Sequence, residues 1–94
     1  MAFYSITYTL DPNANEANFK KRILSVSGGV FIKGADSQYL IKSDIDASEI
    51  MDKLNDQPGG RNKILILKLD TNDWCHINLS IEVSDWLQLA TNAD

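Results

Sequence analysis

Few residues in this chain are suited to chemistry. Its single cysteine and single histidine are neighbours, Cys75 and His76. A thiol beside an imidazole suggests a metal site or a nucleophile–base pair. The spacing serves neither well. A structural zinc site takes four ligands at recognisable intervals, and there is no second Cys or His. A nucleophile and its base must meet in space, whereas adjacent residues of a strand point to opposite faces. The pair therefore reads as a partly buried Cys75 and a surface His76.

Carboxylates come next. Asp44, Asp46, Glu49 and Asp52 cluster in sequence. General acid–base work would need a cleft that drives two pKa values apart. Their placement instead suits a helix N-terminus, where the dipole favours negative charge. Gly59-Gly60-Arg61 offers backbone N–H groups for an anion nest. It lacks the spacing and the Lys-Ser/Thr ending of a P-loop, so a plain loop is the simpler reading. Lys20-Lys21-Arg22 is a short basic run. Three consecutive side chains on a helix fan around its axis, which favours a solvated face over a phosphate site. Trp74 and Trp86 are interface candidates, because aromatic anchors are enriched where proteins meet. Core packing is the competing reading for both.

The elements that must position these residues follow from periodicity. Over residues 2–10, Tyr4, Ile6, Tyr8 and Leu10 alternate with Phe3, Ser5, Thr7 and Thr9, which predicts a strand. Asp11-Pro12-Asn13 ends it. Phe19, Ile23 and Val26 stripe a helix over 14–27, and Gly28-Gly29 stops it. Two short strands, 30–33 and 38–43, flank the turn Gly34-Ala35-Asp36-Ser37. Asp46 and Glu49 have capping-box spacing and open a second helix, with Ala47, Ile50, Met51 and Leu54 on its buried side. A loop from Gln57 to Asn62 precedes residues 63–69, the most apolar strand. Beyond it, Ile77, Leu79, Ile81 and Val83 alternate like a strand, while Val83, Trp86, Leu87 and Ala90 repeat like a helix. The expectation is an extended segment near 75–81, a helix from about Ser84 to Ala90, and a frayed end from Thr91 to Asp94.

The order strand, helix, strand, strand, helix, strand, helix predicts an α+β fold. Specifically, it predicts a ferredoxin-like βαββαβ sandwich with an added C-terminal helix. Ninety-four residues make one domain, 1–94. A chain this short buries a modest core, which makes self-association a reasonable way to bury more. With 44% apolar and 23% charged residues the chain has the composition of a globular protein. A net charge of -4 makes nucleic acid a poor default partner, since phosphate binding relies on Lys and Arg. One cysteine precludes an internal disulfide and fits a reducing compartment. No apolar run approaches the ~20 residues that span a bilayer. The first residues read as a strand and not as a signal peptide, so the expected location is the cytoplasm, away from membranes.

Several stretches, in order, resemble small bacterial proteins of the SinR-like group. They are Ile6-Thr7-Tyr8-Thr9-Leu10, Ser37-Gln38-Tyr39-Leu40-Ile41-Lys42-Ser43-Asp44, Ala47-Ser48-Glu49-Ile50, Ile64 to Leu69, Trp74, and Ser84-Asp85-Trp86-Leu87. The group's label implies no helix-turn-helix, and this chain has no such motif. The group is similar in fold to CRISPR-associated protein two and virulence-associated protein D, dimeric proteins whose members include metal-dependent nucleases. The resemblance implies a bacterial or phage origin, a mobile-element setting and a homodimer. The nuclease chemistry of those relatives is associated with an Asp at the end of the first strand, which holds a hard divalent cation across the dimer axis. Thr9 occupies that position here. Asp11, two residues on, is the weak alternative, and its Asp-Pro-Asn setting favours a turn. The expectation is thus a non-enzymatic interaction module that forms a homodimer through sheet edges or the C-terminal segment and binds a further protein, without catalytic, cofactor or metal residues. The alternative is a degenerate endoribonuclease, toxin-like, using Asp11 with Mg²⁺ or Mn²⁺. A third and weaker one is a nucleic-acid binder using the basic run of the first helix.

Overall fold

A computed structural model describes residues 2–55 and 61–91. The expected loop residues Gln57 to Gly60 and the last residues, Asn92 to Asp94, lie outside them. The elements are β1 (Ala2–Thr9), α1 (Glu16–Ser27), β2 (Phe31–Ala35), β3 (Gln38–Ser43), α2 (Ala47–Leu54), β4 (Lys63–Lys68) and α3 (Ile81–Thr91). The chain is an α+β domain: the described residues form one four-stranded antiparallel sheet in the order β2-β3-β1-β4, with three helices.

Local chemistry sets the helix ends. Asn15 caps α1, its side chain accepting from the Asn18 N–H at 3.2 Å. Gly28 ends α1 at φ 60°, a left-handed conformation that Gly adopts without strain, and its N–H reaches the Leu24 carbonyl. Asp46 caps α2 by accepting from the Glu49 N–H at 2.9 Å. The β2–β3 hairpin has an irregular register between Lys33 and Ala35. Gly34 sits there because a Cβ would come 2.7 Å from Gln38 Oε1 and 3.3 Å from the Leu40 side chain.

The sheet buries its two faces differently. On one, Tyr4, Ile6 and Tyr8 of β1 and Tyr39 and Ile41 of β3 pack under Phe19, Ile23 and Val26 of α1 and Ile50 and Leu54 of α2. These are the stripes expected from the sequence. The Ser43 hydroxyl ties β3 to the end of α1 by donating to the Val26 carbonyl at 2.7 Å. On the other face, Leu40 packs with Val83 and Leu87 of α3, with Ile32, Leu69, Trp74, Leu79 and Trp86 around them. Phe3 and Ser5 are therefore buried too.

Two expectations change in the last third of the chain. Residues 75–80 are irregular, with a bend at Ile77 and Asn78, and the helix starts at Ile81, three residues before Ser84. Ser80 lies just before its first turn, its hydroxyl accepting from the Val83 N–H at 3.3 Å. Asn78 adopts φ 58°, which breaks the strand-like alternation of Ile77 and Leu79. Cys75 is exposed, not partly buried: its neighbour Trp74 packs against the Leu40–Val83–Leu87 cluster and Cys75 stands outside it. Among the described residues, no helix is long and apolar enough to cross a membrane.

Candidate interaction surface

The structure scatters most of the residues that promised chemistry. Cys75 and His76 are both exposed. The imidazole of His76 stacks on Trp74, with ring centroids 6.1 Å apart and planes 18° from parallel. Asp44, Asp46, Glu49 and Asp52 are all exposed, and Asp46 is the α2 cap. Lys20 and Lys21 are solvated. Arg22 is half-buried and donates from Nη1 to the Lys53 carbonyl at 3.3 Å, linking α1 to the end of α2. The basic run is thus divided between solvent and packing. Of the proposed anion nest, Gly59 and Gly60 lie outside the described residues, and Arg61 is exposed. Among the described residues, no group of three or more His, Cys, Asp or Glu side chains is placed to hold a metal ion.

Asp11 is absorbed by its own turn. Its Oδ1 accepts from the Asn13 N–H at 2.9 Å, and its carbonyl accepts from the Ala14 N–H at 2.8 Å. Its N–H donates to Asn62 Oδ1 at 2.6 Å, which anchors the turn to the start of β4. Thr9 closes β1 opposite Lys63 and is exposed. Beside this turn is a cavity of about 140 Å³, lined in part by Asn13, Asn15, Asn18, Arg22 and Asn62. Ligand pockets usually occupy ~300 Å³ or more, so it is small for a drug-sized ligand.

An aromatic knot lies deeper. Tyr8 stands 4.7 Å from Phe19 and 5.5 Å from Tyr39 between ring centroids. Burial, aided by the negative charge of Glu16, raises the Tyr8 pKa above the ordinary tyrosine value. Burial likewise raises that of Tyr39, and Tyr8 adds to the effect. The two hydroxyls influence each other's ionisation without reaching hydrogen-bond geometry, and among the described residues Tyr8 Oη is buried without a partner. Both phenols stay protonated at neutral pH and supply no base.

What the fold does gather is apolar surface. Among the described residues β4 is an edge strand, with β1 as its single neighbour. Its even residues, Ile64 and Ile66, lean into the core under α1 and α2. Its odd residues, Leu65 and Leu67, point to the opposite face and are each 54% exposed. They lie across from Thr7 and Ser5. α3 makes its main sheet contact with β2, on the far edge, and so leaves the β4 side of that face open. Ile77 and Ile81 are exposed as well.

The two sheet edges differ in protection. β2 carries the register irregularity and the exposed Lys33, devices that discourage edge pairing. β4 pairs with β1 in unbroken register from Lys63 to Lys68, and its charges sit only at its ends. The sequence marks β4 as the most apolar strand. Its edge position depends on β1 taking the centre of the sheet, which periodicity does not reveal. Trp86 is half-buried and meets Phe3 edge-on at 5.6 Å. Trp74 is half-buried against the Leu40–Val83–Leu87 cluster. Both expected interface residues thus take part in holding α3 to the sheet. Comparison of the chain with protein-family models, with curated proteins and with solved structures gave no match.

Proposed function

We propose that this chain is a small non-enzymatic interaction module that self-associates and engages a further protein through the open side of its sheet. The uncovered leucines of β4, Leu65 and Leu67 on an unprotected edge strand, carry this conclusion. Flat apolar edges pair with other chains unless something blocks them. In a domain this small, self-association adds the burial that the core cannot supply.

The ferredoxin-like class belongs to the same proposal. It is supported by antiparallel pairing in the order β2-β3-β1-β4 and by α1 and α2 sharing one face. Kinship with SinR-like bacterial proteins rests on the ordered residue pattern alone. The competing metal-dependent endoribonuclease needs the Asp11 carboxylate free for Mg²⁺ or Mn²⁺. One oxygen of that carboxylate, Oδ1, accepts from the Asn13 N–H within its own turn.

Sedimentation equilibrium over a wide concentration range tests the proposal. The wild type is expected as a dimer, and Leu65→Glu/Leu67→Glu as a folded monomer with unchanged circular dichroism. A wild type that stays monomeric at every concentration would overturn self-association.

A further inference from the structure

We propose that two copies of the chain pair antiparallel along β4, with Ile66 on the two-fold axis, to form one continuous eight-stranded sheet. This rests on the interaction-module conclusion and specifies its first partner, a second copy. The backbone fixes which groups are free. The Leu69 N–H donates to the Phe3 carbonyl at 2.8 Å, so Leu69 directs its backbone groups toward β1. Alternate residues of a strand direct theirs the same way. Lys63, Leu65 and Leu67 therefore face β1, while Ile64, Ile66 and Lys68 direct their N–H and C=O groups outward from the edge.

Those three outward residues are symmetric about Ile66. An antiparallel copy centred there pairs Ile66 with its own counterpart and Ile64 with Lys68 of the second copy, in both directions, using every outward group of β4. Side-chain parity agrees, because directly opposed residues in such a pair share a face. Leu65 then lies across from Leu67 of the second copy, and the four leucines form one cluster over the exposed face. Lys63 and Lys68 never oppose each other, since one is odd and the other even.

Charge complementarity selects the same partner. The start of β4 is basic, with Arg61 and Lys63 exposed. The turn after it is acidic, with Asp70 and Asp73 exposed. Antiparallel pairing about Ile66 sets Lys63 across from Leu69 and Arg61 across from Thr71 of the second copy. The basic end of each copy then runs beside the acidic turn of the other, twice per dimer. Such pairs at a rim steer and fix register more than they add affinity.

The test uses the full chain in a Cys75→Ser background, which removes the exposed native thiol. Leu65→Cys and Leu67→Cys are prepared separately, mixed, and oxidised mildly. Both positions are exposed, so folding is undisturbed. In the proposed register positions 65 and 67 face each other as a non-hydrogen-bonded pair, within disulfide reach. The mixture is expected to cross-link at least roughly fivefold more than either variant alone, since like positions sit on a diagonal out of reach. Efficient cross-linking of Leu65→Cys alone would place Leu65 on the axis and overturn the register. A dimer by sedimentation with no cross-link in any combination would overturn pairing through β4 while leaving self-association intact. A monomer at all concentrations would remove both.

Discussion

The two faces of the sheet differ in apolar content and in how far helices cover them. Under α1 and α2, Tyr4, Ile6 and Tyr8 of β1 and Tyr39 and Ile41 of β3 join one buried cluster, and Ile6, Ile23, Ile41, Ile50 and Leu54 are fully buried. On the other face α3 reaches Leu40, Ile32 and Phe3 but stops short of β4, leaving Leu65 and Leu67 in solvent. Apolar side chains on the first face stabilise the fold. On the second they stabilise it only as far as α3 extends, and beyond that they are available to another chain.

Mutations at matched residues sharpen the contrast. Ile41→Ala removes a wholly buried side chain and is expected to cost about 2–5 kcal/mol of unfolding free energy. Leu65→Ala, measured under monomeric conditions, should change it by no more than about 0.5 kcal/mol. Urea denaturation reads both. Comparable losses at the two sites would mean that the β4 face is covered within the single chain. An intermediate loss of about 1–3 kcal/mol is expected for Gly34→Val, which forces side-chain atoms onto Gln38 and Leu40 under α3. Asp46→Ala should cost about 1 kcal/mol through the lost α2 cap.

Alkaline pH probes the closed face independently. Tyr8 and Tyr39 hold their protons more tightly in the folded chain than the ordinary value of about 10 implies, chiefly through burial. The unfolded chain loses those protons first. Their contribution is thus intact below the unfolded value and is lost as pH rises through the higher folded values. Tyr8→Phe/Tyr39→Phe should flatten that decline above about pH 10 in a pH series of urea midpoints. At neutral pH, Tyr8→Phe alone should be close to neutral, since it deletes a buried hydroxyl that has no hydrogen bond. The smallest effect is expected from Asp11→Ala in RNA and DNA cleavage assays with Mg²⁺ or Mn²⁺. Neither variant nor wild type should cleave above a contaminant control, and metal-dependent cleavage lost in the variant would restore the nuclease alternative.

Local periodicity made the closed face legible. Tyr4, Ile6 and Tyr8 alternate, and the helix stripes carry the right spacing, so side-chain direction follows from position in the chain. The same rule failed at 75–83, where strand and helix periods overlap: a positive φ at Asn78 interrupts an irregular segment and the helix begins at Ile81. It also failed for Cys75, whose exposure depends on the path of that irregular segment. The β4 surface was half legible. Its apolar character is written in Ile64 to Leu69, but its exposure depends on which strand takes the edge and how far α3 extends, both of which are tertiary outcomes.

The most direct measurement is amide hydrogen exchange along β4 as a function of protein concentration. Lys63, Leu65 and Leu67, bonded to β1, should be protected at all concentrations. Ile64, Ile66 and Lys68, facing outward, should exchange freely in dilute solution and become protected as concentration rises, with Ile66 protected most. Free exchange of those three amides in a sample shown to be dimeric would contradict pairing through β4.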